Sequence, residues 1–464
     1  MSGVGREAEP SGAKRGAARA RTAAGTAPAG PRTTAAITPA RAAAFEILTL
    51  VGEGKGHSDE LLHATRTAEL TQEDRNLATA LVMGVLRWQI ALDARLNKLL
   101  ARPGQRLAEP VALALRMGAF QLLHMDRIPA HAVLNESVEM CRAAGQPHAA
   151  GMVNAILRKL AVAQKPGERI FESTAAFAER LGHPRWLVER WVAAYGREAA
   201  LAICEYDQRE PAAGAMFADT DRQDSEAGAV ALGRPEIDDG SRLVAELAAA
   251  ALPFTGERVA RVWDCCAAPG GKTLTLATRL PDADILATDV SAKRLAWMTA
   301  RLRRYDYAER VRCAVMDASA AGQDSEETFD LILCDVPCSG TGTLARNPEI
   351  RHHLREDDLK RQVVRQRAIL RGALRRLAPG GRLVYSTCSL ELEENERVVD
   401  EVVSEVGLKR VPVKPLIARL VDSDVLKEEV ATTLLGSGVR GGALRTLPGV
   451  HPCDGFFAAV LERN

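Results

Sequence analysis

The chain has 464 residues, of which 47% are hydrophobic and 26% charged, and its formal net charge is +1. That length exceeds what one hydrophobic core serves and implies two or three domains. The charge balance excludes a globally basic nucleic-acid binder, so any RNA surface is a local patch; no apolar run reaches the roughly eighteen residues of a membrane span.

Residues 1–38 read as a disordered basic tail. The stretch lacks the apolar segment of a secretory signal. Arg6, Lys14, Arg15, Arg19, Arg21 and Arg32 outweigh Glu7 and Glu9, which suits loose retention of RNA; the two acids speak against a transit peptide. Residues 39–165 read as helix after helix. Apolar positions recur every three or four residues in Ala42–Leu50, Leu77–Leu100, Val111–Met125, Val133–Cys141 and Met152–Leu160. Thr38 or Thr71 is placed to cap a helix, with Asp74 in the turn after Thr71. Lys165-Pro166-Gly167 reads as a linker, residues 174–210 return to a helical pattern, and Pro211–Gly240, rich in Ala, Gly, Asp and Glu, reads as a connector. The whole of 166–240 is taken as a connecting or reduced small subdomain.

From residue 241 onward the expectation is a single α/β domain, 241–464. Short apolar runs at Val259–Trp263, Ile285–Thr288, Val311–Val315, Phe329–Cys334 and Leu383–Thr387 alternate with helical segments at Thr273–Arg279, Ser291–Tyr305 and Leu359–Leu377. This is the pattern of a doubly wound parallel sheet. A last run, Gly455–Leu461, is expected as a strand at or near the sheet edge.

Three motifs carry chemistry. Asp264-Cys265-Cys266-Ala267-Ala268-Pro269-Gly270-Gly271-Lys272-Thr273 leaves one strand and opens a helix, where small residues let a ligand approach the backbone and the helix N-terminus. Its end imitates a P-loop, but the first glycine of that motif would fall on Cys266. Asp289 and Asp317 end the next two strands, where acids meet nucleoside hydroxyls; G-x-G-x-x-G is missing, which disfavours a nicotinamide dinucleotide. Asp335-Val336-Pro337-Cys338-Ser339-Gly340 and Tyr385-Ser386-Thr387-Cys388-Ser389 each follow a strand, so two thiols and a carboxylate converge at the ligand crevice.

Five of the nine cysteines lie between Cys265 and Cys338. No C-x-x-C pair occurs, so reduced thiols in a cytoplasmic protein are expected, without disulfide scaffold or metal. Cys141, Cys204, Cys313 and Cys334 read as small core residues. His352-His353 reads as an exposed helix start.

Taken in order, these motifs resemble those of the RNA cytosine-5 methyltransferases, and most of all the bacterial branch that acts on small-subunit ribosomal RNA. His131–Glu139 and Met152–Arg158 are similar to the helical NusB family, and Asp454-Gly455-Phe456-Phe457-Ala458 resembles the final strand of the methyltransferases. The resemblance covers nearly everything from residue 39 onward. It implies an all-α NusB-like RNA-binding domain followed by a Rossmann-like class I methyltransferase domain that uses S-adenosyl-L-methionine. It further implies Cys388 as the nucleophile that adds to carbon 6 of cytosine, Asp335 on the base edge, and Cys338 in loss of the carbon 5 proton and product release. The cofactor would lie over Cys266–Lys272, with Asp289 on its ribose and Asp317 near its adenine. Lys272 is a candidate for lowering the nucleophile's pKa.

The implied partner is 16S ribosomal RNA, unassembled or partly assembled, met by a monomer without membrane or metal. The same chemistry on transfer RNA or large-subunit RNA, or a non-catalytic RNA-binding role, stays open. Two departures from the family stand out: Pro211–Gly240 is short for the usual small subdomain, and Asp238-Asp239-Gly240-Ser241 lacks the glutamine normally found before the sheet.

Overall fold

The computed structural model describes residues 37–463 apart from 64–66, 68, 163–171, 212–213, 219–236, 306, 308 and 322–326. The tail before residue 37, the Lys165–Gly167 linker and most of the Pro211–Gly240 connector therefore lie outside the described residues.

Helices α1 (Pro39–Gly52), α2 (Ser58–Leu62), α3 (Gln72–Asn97), α4 (Glu109–His124), α5 (Ala130–Ala143) and α6 (Ala150–Val162) form the N-terminal domain. Leu48, Leu81, Val85, Leu115, Met117 and Leu157 fill its core. The crossing of α3 and α4 depends on Gly84, where a Cβ would stand 1.9 Å from the Phe120 ring. Helix α3 is long and apolar enough to cross a membrane by length and composition, but here its apolar face packs in the bundle. Thr71 caps α3 by accepting from the Asp74 amide. Thr38 does not cap α1: its hydroxyl donates instead to Glu136, which also pairs with buried Arg41.

Helices α7 (Thr174–Arg180), α8 (Arg185–Tyr195) and α9 (Arg197–Tyr206) follow. Phe177, Leu187 and Trp191 pack there with Leu344, Leu390 and Leu447 of the C-terminal domain. This stretch is thus a packed helical layer, in keeping with the helical pattern of residues 174–210.

The C-terminal domain is a nine-stranded sheet in the order β3-β2-β1-β4-β5-β9-β8-β7, with β6 pairing β9. Its strands are β1 (Arg261–Asp264), β2 (Asp284–Asp289), β3 (Val311–Val315), β4 (Phe329–Asp335), β5 (Leu377–Thr387), β6 (Lys409–Val411), β7 (Val439–Arg440), β8 (Ala443–Arg445) and β9 (Phe457–Glu462). The first five run parallel, and β9 is antiparallel to β5. The Gly455–Leu461 run thus becomes an interior strand, covered by β6 and β8 on its far side. Its uninterrupted apolar composition fits burial on both faces. The Pro379-Gly380-Gly381 turn lies inside β5, where the register with β4 slips between Phe329 and Leu331.

Helices α10 (Asp239–Ala250), α11 (Gly271–Arg279) and α12 (Ala292–Arg304) cover one sheet face. On the other face lie α14 (Glu356–Arg375) and α15 (Glu396–Val406), while α13 (Ile350–His353) ends a loop that reaches the N-terminal domain. There His352 is no exposed helix start: it bonds Leu86 O at 2.7 Å, burial pushes its pKa down to about 3, and α13 is held by Ser58 donating to Glu349.

Candidate active site

Strand order reverses between β1 and β4, and in open α/β sheets the crevice outside the carboxyl ends at such a point receives ligands. Asp264 ends β1, Asp289 ends β2 and Asp335 ends β4. A cleft of about 1560 Å³ opens there and continues to the N-terminal domain. Its walls include Asp264, Cys266, Ala267, Ala268, Pro269, Gly271, Lys272 and Asp335 on one side, and Arg75, Arg87, Trp88 and His124 on the other.

The loop after β1 is shaped by small residues. Gly270 has φ +96°, and a Cβ there would stand 2.7 Å from Met298 Cγ, so both conformation and space demand glycine. The Gly270 amide donates to Ala267 O at 2.8 Å, closing the turn that opens α11. Asp264 is buried and accepts from the Thr273 hydroxyl at 2.6 Å. Its other oxygen has no partner among the described residues. Burial, with a contribution from Asp335, pushes the Asp264 pKa up to about 7.

Lys272 crosses from this loop to the chemistry. Its ammonium lies 2.8 Å from Asp335 Oδ2 and 3.2 Å from Ser241 Oγ. Burial opposes its charge, but the carboxylates of Asp335 and Asp238 outweigh burial, and its pKa is raised. Cys388 adds to that pull. Asp335 is fixed from the other side by the Ser386 hydroxyl at 2.7 Å.

Fifty residues apart in sequence, Cys338 and Cys388 bring their sulfurs to 3.3 Å. Both are half-buried, and neither forms the wall of the large cleft itself. The hydrogen bond to Cys388, then burial, hold the Cys338 thiol well above the usual cysteine range. A carboxylate absent from the sequence reading organises the pair. Glu394, fully buried, accepts from the Ser339 amide at 2.9 Å, from the Ser339 and Ser389 hydroxyls at 2.5 Å each, and from Gln366 at 2.9 Å. Each serine directly follows one of the two cysteines. The run Glu391-Leu392-Glu393-Glu394 was visible in the sequence, but nothing local distinguishes a buried clamp from a solvated acidic turn.

Asp289 is buried, accepts from the Ser291 amide at 2.8 Å and lies 3.2 Å from Arg294 Nη1. Asp317 is not brought into the cleft. It is exposed and caps a single turn by accepting from the Ser319 amide at 2.9 Å.

Two family models match this chain: 16S rRNA methyltransferase RsmB/F over residues 252–462 and the NusB family over residues 38–162. The ribosomal RNA small subunit methyltransferase B of Xanthomonas campestris pv. campestris is 33% identical over 462 residues, covering 92% of this chain and 98% of the relative. The chain belongs to this methyltransferase family. A Bacillus subtilis relative, the probable ribosomal RNA small subunit methyltransferase B, is 30% identical over 465 residues, with 92% and 99% covered. The crystal structure of PH0851 shares the fold, with a TM-score of 0.69 at 22% identity over 92% of this chain and 99% of that one.

As a member of the family the protein is a ribosomal RNA methyltransferase, and its cofactor is S-adenosylmethionine. The residues fit that group. The unpartnered Asp264 oxygen offers an acceptor beside the glycine-lined loop, Asp289 offers a second at the next strand end, and Val290 beside it is 54% exposed, suited to a flat ring. Bound there, the cofactor supplies an electrophilic methyl group.

Proposed function

We propose that this enzyme methylates carbon 5 of a cytosine in small-subunit ribosomal RNA through a covalent adduct to Cys388, as a cytoplasmic protein meeting RNA that is not fully assembled. The observation that carries this reading is the 3.3 Å approach of two thiols beside the Lys272–Asp335 pair. Carbon 5 of cytosine is too weak a nucleophile to take a methyl unaided, so the ring must first be activated by addition at carbon 6.

The Cys388 sulfur supplies that addition as a thiolate, its proton having passed to solvent, forming a bond to carbon 6 and moving ring electrons toward nitrogen 3 and carbon 5. Asp335, paired with the Lys272 ammonium, is an acceptor for the exocyclic amino group of the base. Lys272 contributes positive charge where the ring becomes electron-rich. Carbon 5 then takes the methyl.

Cys338 acts afterwards. The hydrogen bond to Cys388, 3.3 Å away, is the first cause that raises its pKa. Once the Cys388 sulfur is bound to carbon 6, that hydrogen bond is weakened and Cys338 gives up its proton more readily. With its own proton released to solvent, Cys338 takes the carbon 5 proton, the electrons of that C–H bond form the carbon 5–carbon 6 double bond, Cys388 leaves carbon 6 as a thiolate, and the aromatic ring returns. The base must leave any stack to enter the crevice, which favours loops and unfolded stems.

Bisulfite mapping of unmodified small-subunit RNA, after incubation with the protein and cofactor, tests the reading. One protected cytosine is expected; protection only in transfer RNA or large-subunit RNA, or none, overturns it.

A further inference from the structure

Helix α12 carries Lys293, Arg294, Arg301, Arg303 and Arg304 and no acidic residue, in a chain whose formal net charge is only +1. At 100° per residue, Leu295, Met298 and Leu302 point into the core, while Lys293, Trp297, Arg301 and Arg304 share the opposite face. Trp297 is 54% exposed, which is uncommon for so large an apolar ring. The Lys293 ammonium lies 5.0 Å from its centroid. Among the described residues, neither Lys293 nor Arg304 has a carboxylate partner. The helix is also anchored to the cofactor loop, since Met298 lies under Gly270 and Arg294 donates to Ala268 O. Arg301 is part of the wall of the main cleft, so the stripe continues from that cleft onto the outer surface.

We propose that this stripe is the docking surface for the single-stranded RNA that flanks the target base. The proposal rests on the RNA substrate class assigned above. An exposed indole flanked by cations matches what a single strand offers, a base face to stack on and phosphates to neutralise. A solvated helix face would not place a half-exposed tryptophan at the centre of an acid-free basic row. From Lys293 to Arg304 the stripe runs about 16 Å, at 1.5 Å per residue, enough for more than one nucleotide. A net charge near zero also means that affinity must come from such a local patch.

The test is equilibrium binding of the full chain to unmodified small-subunit ribosomal RNA across about 50–200 mM salt. Trp297→Ala is expected to weaken binding about tenfold, the order of one lost stacked base, and Trp297→Tyr to restore most of it. A Lys293→Ala/Arg304→Ala variant is expected to lower the slope of log affinity against log salt by roughly 1.4, two contacts on a single strand. Cofactor affinity stays at the wild-type value in all three, which checks the fold. Wild-type RNA affinity and salt slope in these variants overturn the proposal. So does a defect seen only with protein-bearing ribosomal particles and not with naked RNA, because the face would then take a protein. If the wild-type enzyme transfers no methyl to this RNA while the variants still lose salt-dependent binding, the assigned reaction fails and the docking surface stands.

Discussion

The Cys388 sulfur lies 3.3 Å from that of Cys338, and the two belong to loops that follow neighbouring parallel strands. Asp335 and Ser386 are register partners, so each cysteine stands a few residues beyond the same rung of the sheet. The proximity separates two roles by mutation. Cys388→Ala is expected to abolish methyl transfer while leaving cofactor affinity unchanged, measured by calorimetric titration and incorporation of labelled methyl. Cys338→Ala should trap the enzyme after methylation, and a protein–RNA band resistant to denaturation should accumulate. Normal turnover without such a band would remove Cys338 from product release.

Glu394 holds both loops at once, and the consequence is measurable apart from chemistry. Glu394→Ala leaves the Ser339 amide without its acceptor, and of the Ser339 and Ser389 hydroxyls, 3.0 Å apart, only one can then donate to the other. At about 1–3 kcal/mol for each unsatisfied buried group, a loss of about 2 kcal/mol or more in stability is expected from denaturant unfolding. Glu394→Gln keeps the volume, costs less stability, and is expected to lower kcat about tenfold or more with KM for the cofactor unchanged. Faster alkylation of the two thiols in the folded protein would show the loops loosened.

The acids at the strand ends differ in what they can do. Asp289 is buried and joined through Arg294 to the loop after β1, whereas Asp317 is exposed and engaged with its own turn. Asp289→Ala is expected to weaken cofactor binding by roughly 1–3 kcal/mol, the order of a lost charged hydrogen bond. Asp317→Ala is expected to change it by less than about 0.5 kcal/mol. Titration calorimetry on both variants decides between them, and equal losses would return Asp317 to the adenine site.

Much of this architecture was legible in the sequence because it is written locally. The helical periodicity around Leu81 and Leu115 and the apolar runs at Ile285 and Leu331 need no knowledge of distant partners. The same holds for the loop after β1, whose small residues are contiguous from Ala267 to Gly271. What was not legible depends on long-range burial. The carboxylate of Glu394 is a clamp only because Ser339 and Gln366 fold around it. His352 is inward-facing only because the N-terminal domain docks on its loop. The strand Phe457–Glu462 is interior only because β6 and β8 add beyond it. The pattern of apolar residues says that such a strand is buried on both faces, and is silent about whether its hydrogen-bonding edges are covered.

Asp264 offers the last test, through pH. Burial holds its carboxyl pKa at about 7 in the folded chain, against about 3.9 in an unfolded one. Between those values the folded state binds the proton and the unfolded state does not, so stability falls as pH rises. The contribution is fully present below about pH 4 and is lost by passage through pH 7. Its size is at most about 4 kcal/mol, from about 1.36 kcal/mol for each pH unit. Asp264→Asn carries no titrating proton, so the stability difference between wild type and variant should shift in the variant's favour from pH 4 to 7 and level off above. Denaturant unfolding at several pH values measures this. Saturating cofactor should flatten the curve, because a donor placed on the unpartnered oxygen favours the ionised carboxylate. A difference that stays constant across the range would mean that Asp264 is already ionised in its buried setting.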